Sequence, residues 1–296
     1  MTQPPKVAVL GSINMDLVCT TEHRPEPGET VLGTGFTMVP GGKGANQAIA
    51  ARRSGATVQF LGALGRDLFA PRLREVLTDS GVDAARLRSL PGASGVASIV
   101  VEAGGENTII VTPGANGQFR ELDADDLAAV ADADILLCQL EIPVETVAAA
   151  ARHARAHGTV VLLNPSPVRE LPAELWGDIE VAVVNSGEAR RLGAALAAVP
   201  HVITTRGADG AAYRGPDEEV HVPSPKVRVV DTTGAGDAFT GALAAAWQRG
   251  PERALAWACA AGALAATQLG ASASIPDAAA IAGLLGNTNA EATGRY

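Results

Sequence analysis

Two glycine-bearing runs hold the residues best able to do chemistry. The first is Asp231-Thr232-Thr233-Gly234-Ala235-Gly236-Asp237-Ala238-Phe239, which follows the apolar run Val227–Val230 and opens a helix. At a helix start the first N–H groups have no intrahelical acceptor, so those of Gly234, Ala235 and Gly236 form an anion hole. Asp237 stands at the same terminus. It reads either as a first-turn carboxylate stabilised by the helix dipole, worth about 0.3–1 kcal/mol, or as a base beside a site built for negative oxygens. Glycines flanking a reactive carboxylate suit phosphoryl transfer, where positioned donors hold developing charge. The second run is Pro40-Gly41-Gly42-Lys43-Gly44-Ala45-Asn46-Gln47. Three glycines around one Lys let backbone approach a ligand closely. A plain glycine turn before a helix is the competing reading. A P-loop is excluded: Lys43 has no Ser or Thr after it and no earlier Gly at the required spacing. Gly11-Ser12-Ile13-Asn14 holds one glycine, so the dinucleotide fingerprint is absent as well.

These runs need elements to position them. Val7–Leu10, Thr57–Leu61, Ile135–Cys138, Val160–Leu163, Val181–Val184 and His201–Thr204 are short apolar runs that read as buried strands. Between them lie stretches of helical character: Ala45–Arg53, the amphipathic Leu68–Ser80 with Leu68, Leu73, Val76 and Leu77 on one side, Val144–His157 and Ser186–Ala198. This alternation predicts an α/β fold with a parallel sheet covered on both faces. After Ala235 the pattern is helical: Ala235–Arg249, Pro251–Gln268 and Pro276–Leu285, then a polar tail, Asn287–Tyr296, expected to fray. Two β-prone segments break the scheme, Val18–Phe36 and Gly95–Thr112, the second with a hairpin turn at Ala103–Glu106. They read as decorated loops or as a small antiparallel lid over the carboxyl edge of the sheet, where ligands bind in such folds. Gly95–Thr112 carries apolar residues on both alternating faces, which predicts a homodimer joined through the lid.

The 296 residues are 47% hydrophobic, which excludes a disordered chain. Aromatics are only 3%, so the core must be built from Ala, Val, Leu and Ile. Lys and Arg number 23 against 32 Asp and Glu, a net charge of −9, which argues against general binding of nucleic acid or anionic membrane. Cys19, Cys138 and Cys259 form no CxxC, so neither a disulfide framework nor a thiolate zinc site is expected, and a reducing cytoplasm fits. Met1–Lys6 has no apolar core, so no signal peptide is expected. The uncharged run Ala254–Pro276 is interrupted by polar residues and too short in its helical apolar part to span a bilayer.

The pattern from Gly41 to Gly65, with Ala48 and Gly55 between, together with Asp231–Gly241, resembles the paired signatures of the ribokinase (PfkB-type) family of sugar and nucleoside kinases. Gly11-Ser12-Ile13-Asn14-Met15-Asp16 is similar to the family's N-terminal substrate motif. Asn185-Ser186-Gly187-Glu188 resembles its Asn-x-x-Glu motif, and Thr205-Arg206-Gly207-Ala208-Asp209-Gly210 its nucleotide loop. The resemblance covers nearly the whole chain. It implies a single ribokinase-like domain, 1–296: a central, mostly parallel sheet flanked by helices, with a discontinuous β lid at 14–40 and 95–112. It implies ATP-dependent phosphorylation of D-ribose at the 5-hydroxyl, or of another sugar or nucleoside; few aromatics near the motifs argue against a nucleoside. A non-catalytic sugar-binding regulator on a kinase fold is the reading from another class.

The resemblance also assigns roles. Asp237 becomes the general base, with the Gly234, Ala235 and Gly236 amides around the transferring phosphoryl group. Asn14, Asp16, Gly42, Lys43, Asn46 and Glu141 would bind the sugar; a turn residue, a surface charge and a helix-start charge are the plain alternatives for Asn14, Asp16 and Glu141. Asn185, Thr205, Gly207, Ala208, Asp209, Gly210, Gly236 and Cys259 would lie along ATP, although Asp209-Gly210 also suits a β-turn and Cys259 a small core residue. Asn185 and Glu188 would be outer partners of Mg²⁺ through water and are equally a helix capping pair. Asp231 and Thr233, facing Ala265, Gln268, Gly270 and Ser274, would hold K⁺, largely through carbonyl oxygens.

Overall fold

Runs of Val, Ile, Leu and Ala without a polar break favour strands buried on both faces of a sheet. The structure, a computed structural model, describes residues 3–293, with side chains through residue 286. Its strands are β1 (Lys6–Leu10), β2 (Asn14–Thr21), β3 (Gly35–Gly41), β4 (Thr57–Leu64), β5 (Leu87–Ser89), β6 (Gly95–Glu102) and β7 (Asn107–Thr112). They continue with β8 (Ile135–Cys138), β9 (Val160–Leu163), β10 (Val181–Asn185), β11 (His201–Thr205), β12 (Ala211–Arg214) and β13 (Glu219–Val222). The helices are α1 (Lys43–Arg53), α2 (Ala70–Asp79), α3 (Ala115–Gln118), α4 (Ala124–Asp132) and α5 (Val144–Ala156). After these come α6 (Ala173–Asp178), α7 (Ser186–Leu192), α8 (Ala235–Ala246), α9 (Pro251–Ala265) and α10 (Ala278–Thr293).

Nine strands form one sheet in the order β13-β12-β11-β10-β9-β8-β1-β4-β5, parallel except at β12 and β13. Successive side chains of a strand point to opposite faces. Accordingly Val7 and Val9 enter the core shared with α1, α8 and α9, whereas Ala8 and Leu10 enter the core shared with α4, α5 and α6. Both faces are covered, as the sequence pattern requires. Strand β1 has β4 on one side and β8 on the other, so the strand order reverses there. Such a switch point opens a crevice at the carboxyl ends of the strands. The chain leaves β1 at Gly11-Ser12 and β8 at Gln139-Leu140-Glu141, which puts polar residues at that crevice.

A second sheet has four strands, β3-β2-β6-β7, with β2 and β6 parallel and the outer pairs antiparallel. The register sets Asn14 beside both Gly41 and Gly95 at one end of it. Met38 lies beside Leu17 on one face, and Ile109 beside Ile99 on the other. Phe36, Met38, Ile109, Ile110 and Val111 are all exposed.

Helices α1 and α8 carry the two glycine-bearing runs and pack closely. A Cβ at Gly241 on α8 would stand 2.3 Å from the Gln47 carbonyl oxygen and 2.5 Å from Ala50 Cβ. Real Cβ contacts are never that short, so any side chain there would push the helices apart.

Several expectations need correction. Leu68 is 95% exposed, because α2 starts only at Ala70, and only Leu73, Leu77 and the half-buried Val76 face the core. The stretch 186–198 is not one helix. It turns to 3₁₀ at Gly193, whose φ of +50° closes α7. The apolar run before α8, 227–230, lies in a loop, with Val229 and Val230 exposed. The antiparallel pair β12–β13 and helices α4 and α6 carry no sequence reading. Helix α10 continues to Thr293 and takes in most of the expected polar tail, the remainder of which lies outside the described residues.

Candidate active site

Asp237 sits in the first turn of α8 and is 9% exposed. A buried carboxylate needs hydrogen-bond donors, since an unpaired charge away from water is costly. Two carboxamides of α1 supply them. Asn46 Nδ2 donates to Asp237 Oδ2 at 3.0 Å, and Gln47 Nε2 donates to Asp237 Oδ1 at 2.9 Å. The other carboxamide oxygen, Asn46 Oδ1, is buried with no hydrogen-bond partner among the described residues. An orphan acceptor beside a carboxylate is what a ligand hydroxyl would satisfy.

The start of α1 is held against the β1 exit by glycines. A Cβ at Gly44 would lie 2.5 Å from the Ser12 amide nitrogen and 2.7 Å from its carbonyl oxygen. This closeness lets Ser12 Oγ donate to Glu141 Oε2 at 2.5 Å while the Lys43 N–H donates to the same oxygen at 3.0 Å. Glu141 is therefore anchored from two elements. Asn14 Oδ1 accepts from Asn116 Nδ2 at 2.8 Å, and Asn116 Oδ1 accepts from the Ile13 N–H at 3.1 Å. Asp16 lies one pleat further along β2, and a Cβ at Gly41 would be 2.2 Å from its Oδ2. Burial pushes the Asp16 carboxyl up from 3.8 to about 7, helped by the negative charges of Glu141 and Asp237. Lys43 is the compensating cation. Burial alone would lower its pKa, but Asp237, Glu141 and Glu188 together outweigh that and raise it.

Lys43, Asp237, Gly234, Gly236, Asn185 and Glu188 line one polar cavity of about 140 Å³. Lys43 thus lines the same cavity as Gly234 and Gly236, besides the sugar contact assigned to it. Asn185 and Glu188 form a reciprocal capping box, with Glu188 N to Asn185 Oδ1 and Asn185 N to Glu188 Oε2 both at 2.8 Å. One of the three amides assigned to the anion hole is already engaged: the Ala235 N–H donates to Thr232 O at 3.2 Å. Those of Gly234 and Gly236 make no hydrogen bond among the described residues.

A second, more apolar cavity of about 520 Å³ adjoins the first at Thr205 and Gly236. Gly207, Ala208, Gly210 and Cys259 line it, as assigned. Asp209 does not. It is exposed on a 3₁₀ turn, and its carbonyl accepts from His221 Nε2. Burial pushes the Cys259 thiol up to about 12, so it contributes a wall and not a nucleophile. The loop 224–229 and Phe239, which the sequence reading left without a role, complete this cavity.

Asp231 precedes the turn that leads into α8. Its carboxylate accepts from the Thr233 N–H and the Gly270 N–H, each at 2.9 Å. These bonds outweigh burial and hold its pKa below the usual carboxylate value. Ala265 is the last residue of α9, with its carbonyl accepting from the Gln268 N–H, and Ser274 Oγ donates to Ala271 O at 3.0 Å. Among the described residues no group of three or more His, Cys, Asp or Glu side chains could hold a metal ion. No described helix is long and apolar enough to cross a membrane.

Residues 4–278 match the family model described as pfkB family carbohydrate kinase. The chain belongs to the pfkB family. It is a sugar kinase, a phosphotransferase acting on an alcohol group. A ribokinase of Bacillus subtilis is 38% identical over 280 residues, covering 91% of this chain and 96% of that protein. A deoxyribokinase of Salmonella typhi is 37% identical over 257 residues, covering 80% of this chain and 84% of that protein. The structure of Arabidopsis thaliana ribokinase complexed with ribose and ATP superposes with a TM-score of 0.89 at 32% identity, covering 96% of this chain and 99% of that one. Within this pfkB chain, Gln47, Gln139, Asn164, Ser12 and Asn116 are site residues that sequence reasoning missed. A signal existed for two of them. Gln139 and Asn164 each directly follow a wholly apolar parallel strand, at the end where ligands sit.

The Asp16 shift yields a prediction for the ligand-free protein. The unfolded chain loses this proton near 3.8 and the folded chain near 7, so ionisation costs stability progressively across that window and fully above it. Asp16→Asn removes the cost. Its melting temperature should exceed that of the parent by more at about pH 8 than at about pH 5. Calorimetry showing an equal or reversed difference would remove Asp16 from this role.

Proposed function

We propose that this chain transfers the γ-phosphoryl group of ATP to the 5-hydroxyl of D-ribose, giving ribose 5-phosphate and ADP. The observation that carries the reading is Asp237, a buried carboxylate at a helix start that lines the polar cavity, next to Gly236 where the two cavities adjoin. The sugar's O5–H proton passes to Asp237 as O5 bonds to the γ-phosphorus and the bond to the β-phosphate oxygen breaks. The free Gly234 and Gly236 amides and Lys43 face the transferring group, and positioned donors of this kind suit a reaction with little covalent help from protein. Asn14, Asp16, Glu141 and the orphan Asn46 Oδ1 are acceptors for sugar hydroxyls. The apolar cavity between Gly207 and Cys259 takes the adenine end of ATP.

Mg²⁺ fits this site as a phosphate-borne ion: Glu188 and Asn185 line the polar cavity without forming a protein cage, and such ions keep several waters. When bound it would neutralise phosphate charge. K⁺ would sit between Asp231 and the 265–274 loop, which the Gly270 N–H ties to the Asp231 carboxylate. The unpaired cysteines suit the reducing cytoplasm, and cell fractionation checks that placement. The four-stranded sheet serves as a lid, and its second apolar face, with Phe36, Met38 and Ile110 exposed, suits a homodimer.

A coupled ADP-release assay over ribose, deoxyribose, fructose, adenosine and pseudouridine tests the function, with ribose expected to give the highest kcat/KM. The deoxyribokinase relative makes deoxyribose the sharpest competitor. Binding of every substrate without turnover would establish a sugar-binding regulator instead. Asp237→Asn should cut kcat by about 10²–10⁴-fold while sugar binding survives, and near-parental kcat would remove Asp237 from the mechanism. Replacing potassium by sodium or tetramethylammonium at fixed Mg²⁺ and ionic strength should lower the rate, and equal rates in all three would exclude the cation site. Light scattering at micromolar concentration should give a dimer mass; a monomer counts against pairing through the lid.

A further inference from the structure

A chain of carboxamides runs behind Asp237: of its members Asn164 lines the polar cavity, whereas Gln47 and Gln139 line neither cavity described above. Gln47 is fully buried on α1. Its Nε2 donates to Asp237 Oδ1 at 2.9 Å and to Asn164 Oδ1 at 3.1 Å. Its Oε1 accepts from Gln139 Nε2 at 2.6 Å. Asn164 Nδ2 in turn donates to the Val183 carbonyl at 2.9 Å.

The orientation of each amide follows from its partners. A carboxamide turned by 180° keeps its shape and exchanges donor for acceptor. The Val183 carbonyl only accepts, so Asn164 must present its oxygen to Gln47. Asp237, when ionised, also only accepts. A reversed Gln47 would therefore set its own oxygen against two others and turn its donors toward the Gln139 amide. Gln139 holds the productive orientation by donating to Gln47 Oε1. Space for Gln139 comes from the end of β1: a Cβ at Gly11 would stand 2.1 Å from Gln139 Oε1.

The network is not explained by stability. Buried polar chains cost free energy unless every group is satisfied, and Gln139 Oε1 is buried with no partner among the described residues. Apolar residues of similar size would fill the same space without that cost.

We propose that Gln47 is a positioning residue for the base, its amide oriented by Gln139 and Asn164 so that, with Asn46 on the other oxygen, it fixes the plane of the Asp237 carboxylate. This rests on the reading of Asp237 as base. Gln47 touches neither sugar nor ATP in this scheme and acts only through Asp237.

Gln47→Met keeps length and volume and removes both donors. Its kcat should fall by about 10–100-fold, since misplacement of a reacting group by about 1 Å costs on that order. KM for ribose and for ATP should stay within about threefold, because no ligand contact is lost. In an Asp237→Asn background the same change should add less than about twofold, as neighbours acting through one group are not additive. Gln47→Asn, which retains the amide but is too short to reach, should repeat the pattern and serves if the Met variant does not fold. Parental kcat in both variants overturns the proposal. So does a loss that multiplies fully with Asp237→Asn, or a rise in KM with kcat unchanged. Parental kcat in Asp237→Asn alone would instead overturn the base assignment.

Discussion

A carboxylate withdrawn from water must be given donors, and meeting that need for Asp237 organises the centre of this protein. The donors come from α1, not from α8, which bears the acid. The two helices must therefore approach within side-chain reach and keep a fixed register. Alanine-rich surfaces and Gly241 permit the approach. The N-terminus of α1 is in turn held on the β1 exit by Gly44 and by the Lys43 N–H bonded to Glu141. Sheet, α1 and α8 thus form one mechanical unit around a single acid.

The electrostatics of the site divide it. On one side Asp16 and Glu141 lie near Asp237, and the raised Asp16 pKa reports burial first and the repulsion of these carboxylates second. Neutral hydroxyl donors suit such a place. On the other side, Lys43, two free glycine amides and a helix start receive negative charge. Asp237 stands on the boundary between these two regions, which is where the proposed mechanism needs a base. The cavity beyond is apolar and larger, and its walls come from a loop, a 3₁₀ turn and α9.

The four-stranded sheet follows a different logic. Its register ties Asn14 and Asp16 to β3 and β6, so two of the proposed sugar acceptors ride on an element outside the main sheet. A single layer with apolar residues on both faces is short of cover on its own. One face looks to the crevice, while Phe36 and Met38 remain on the surface of the isolated chain.

Much of this was legible in the sequence. Apolar runs at β1, β8, β9 and β10 marked parallel strands because burial on both faces forces continuous hydrophobicity. The glycine runs and Asp237 stood out because few backbones need such permissive residues beside a carboxylate, and the structure brings the two runs together. The Asn185–Glu188 spacing declared a capping box, and the box is present. Other features depend on contacts between residues far apart in the chain. Nothing local distinguishes Gln47 from any polar helix residue; only the approach of α8, Gln139 and Asn164, between 92 and 190 positions away, makes it a partner of the acid. The engagement of the Ala235 amide, the exposure of Leu68 and the loop course of 227–230 likewise turn on geometry that no periodicity encodes. Side-chain periodicity determines which face of an element is buried, because that is a property of one segment. Which polar groups meet in the interior is a property of several, and only tertiary packing decides it.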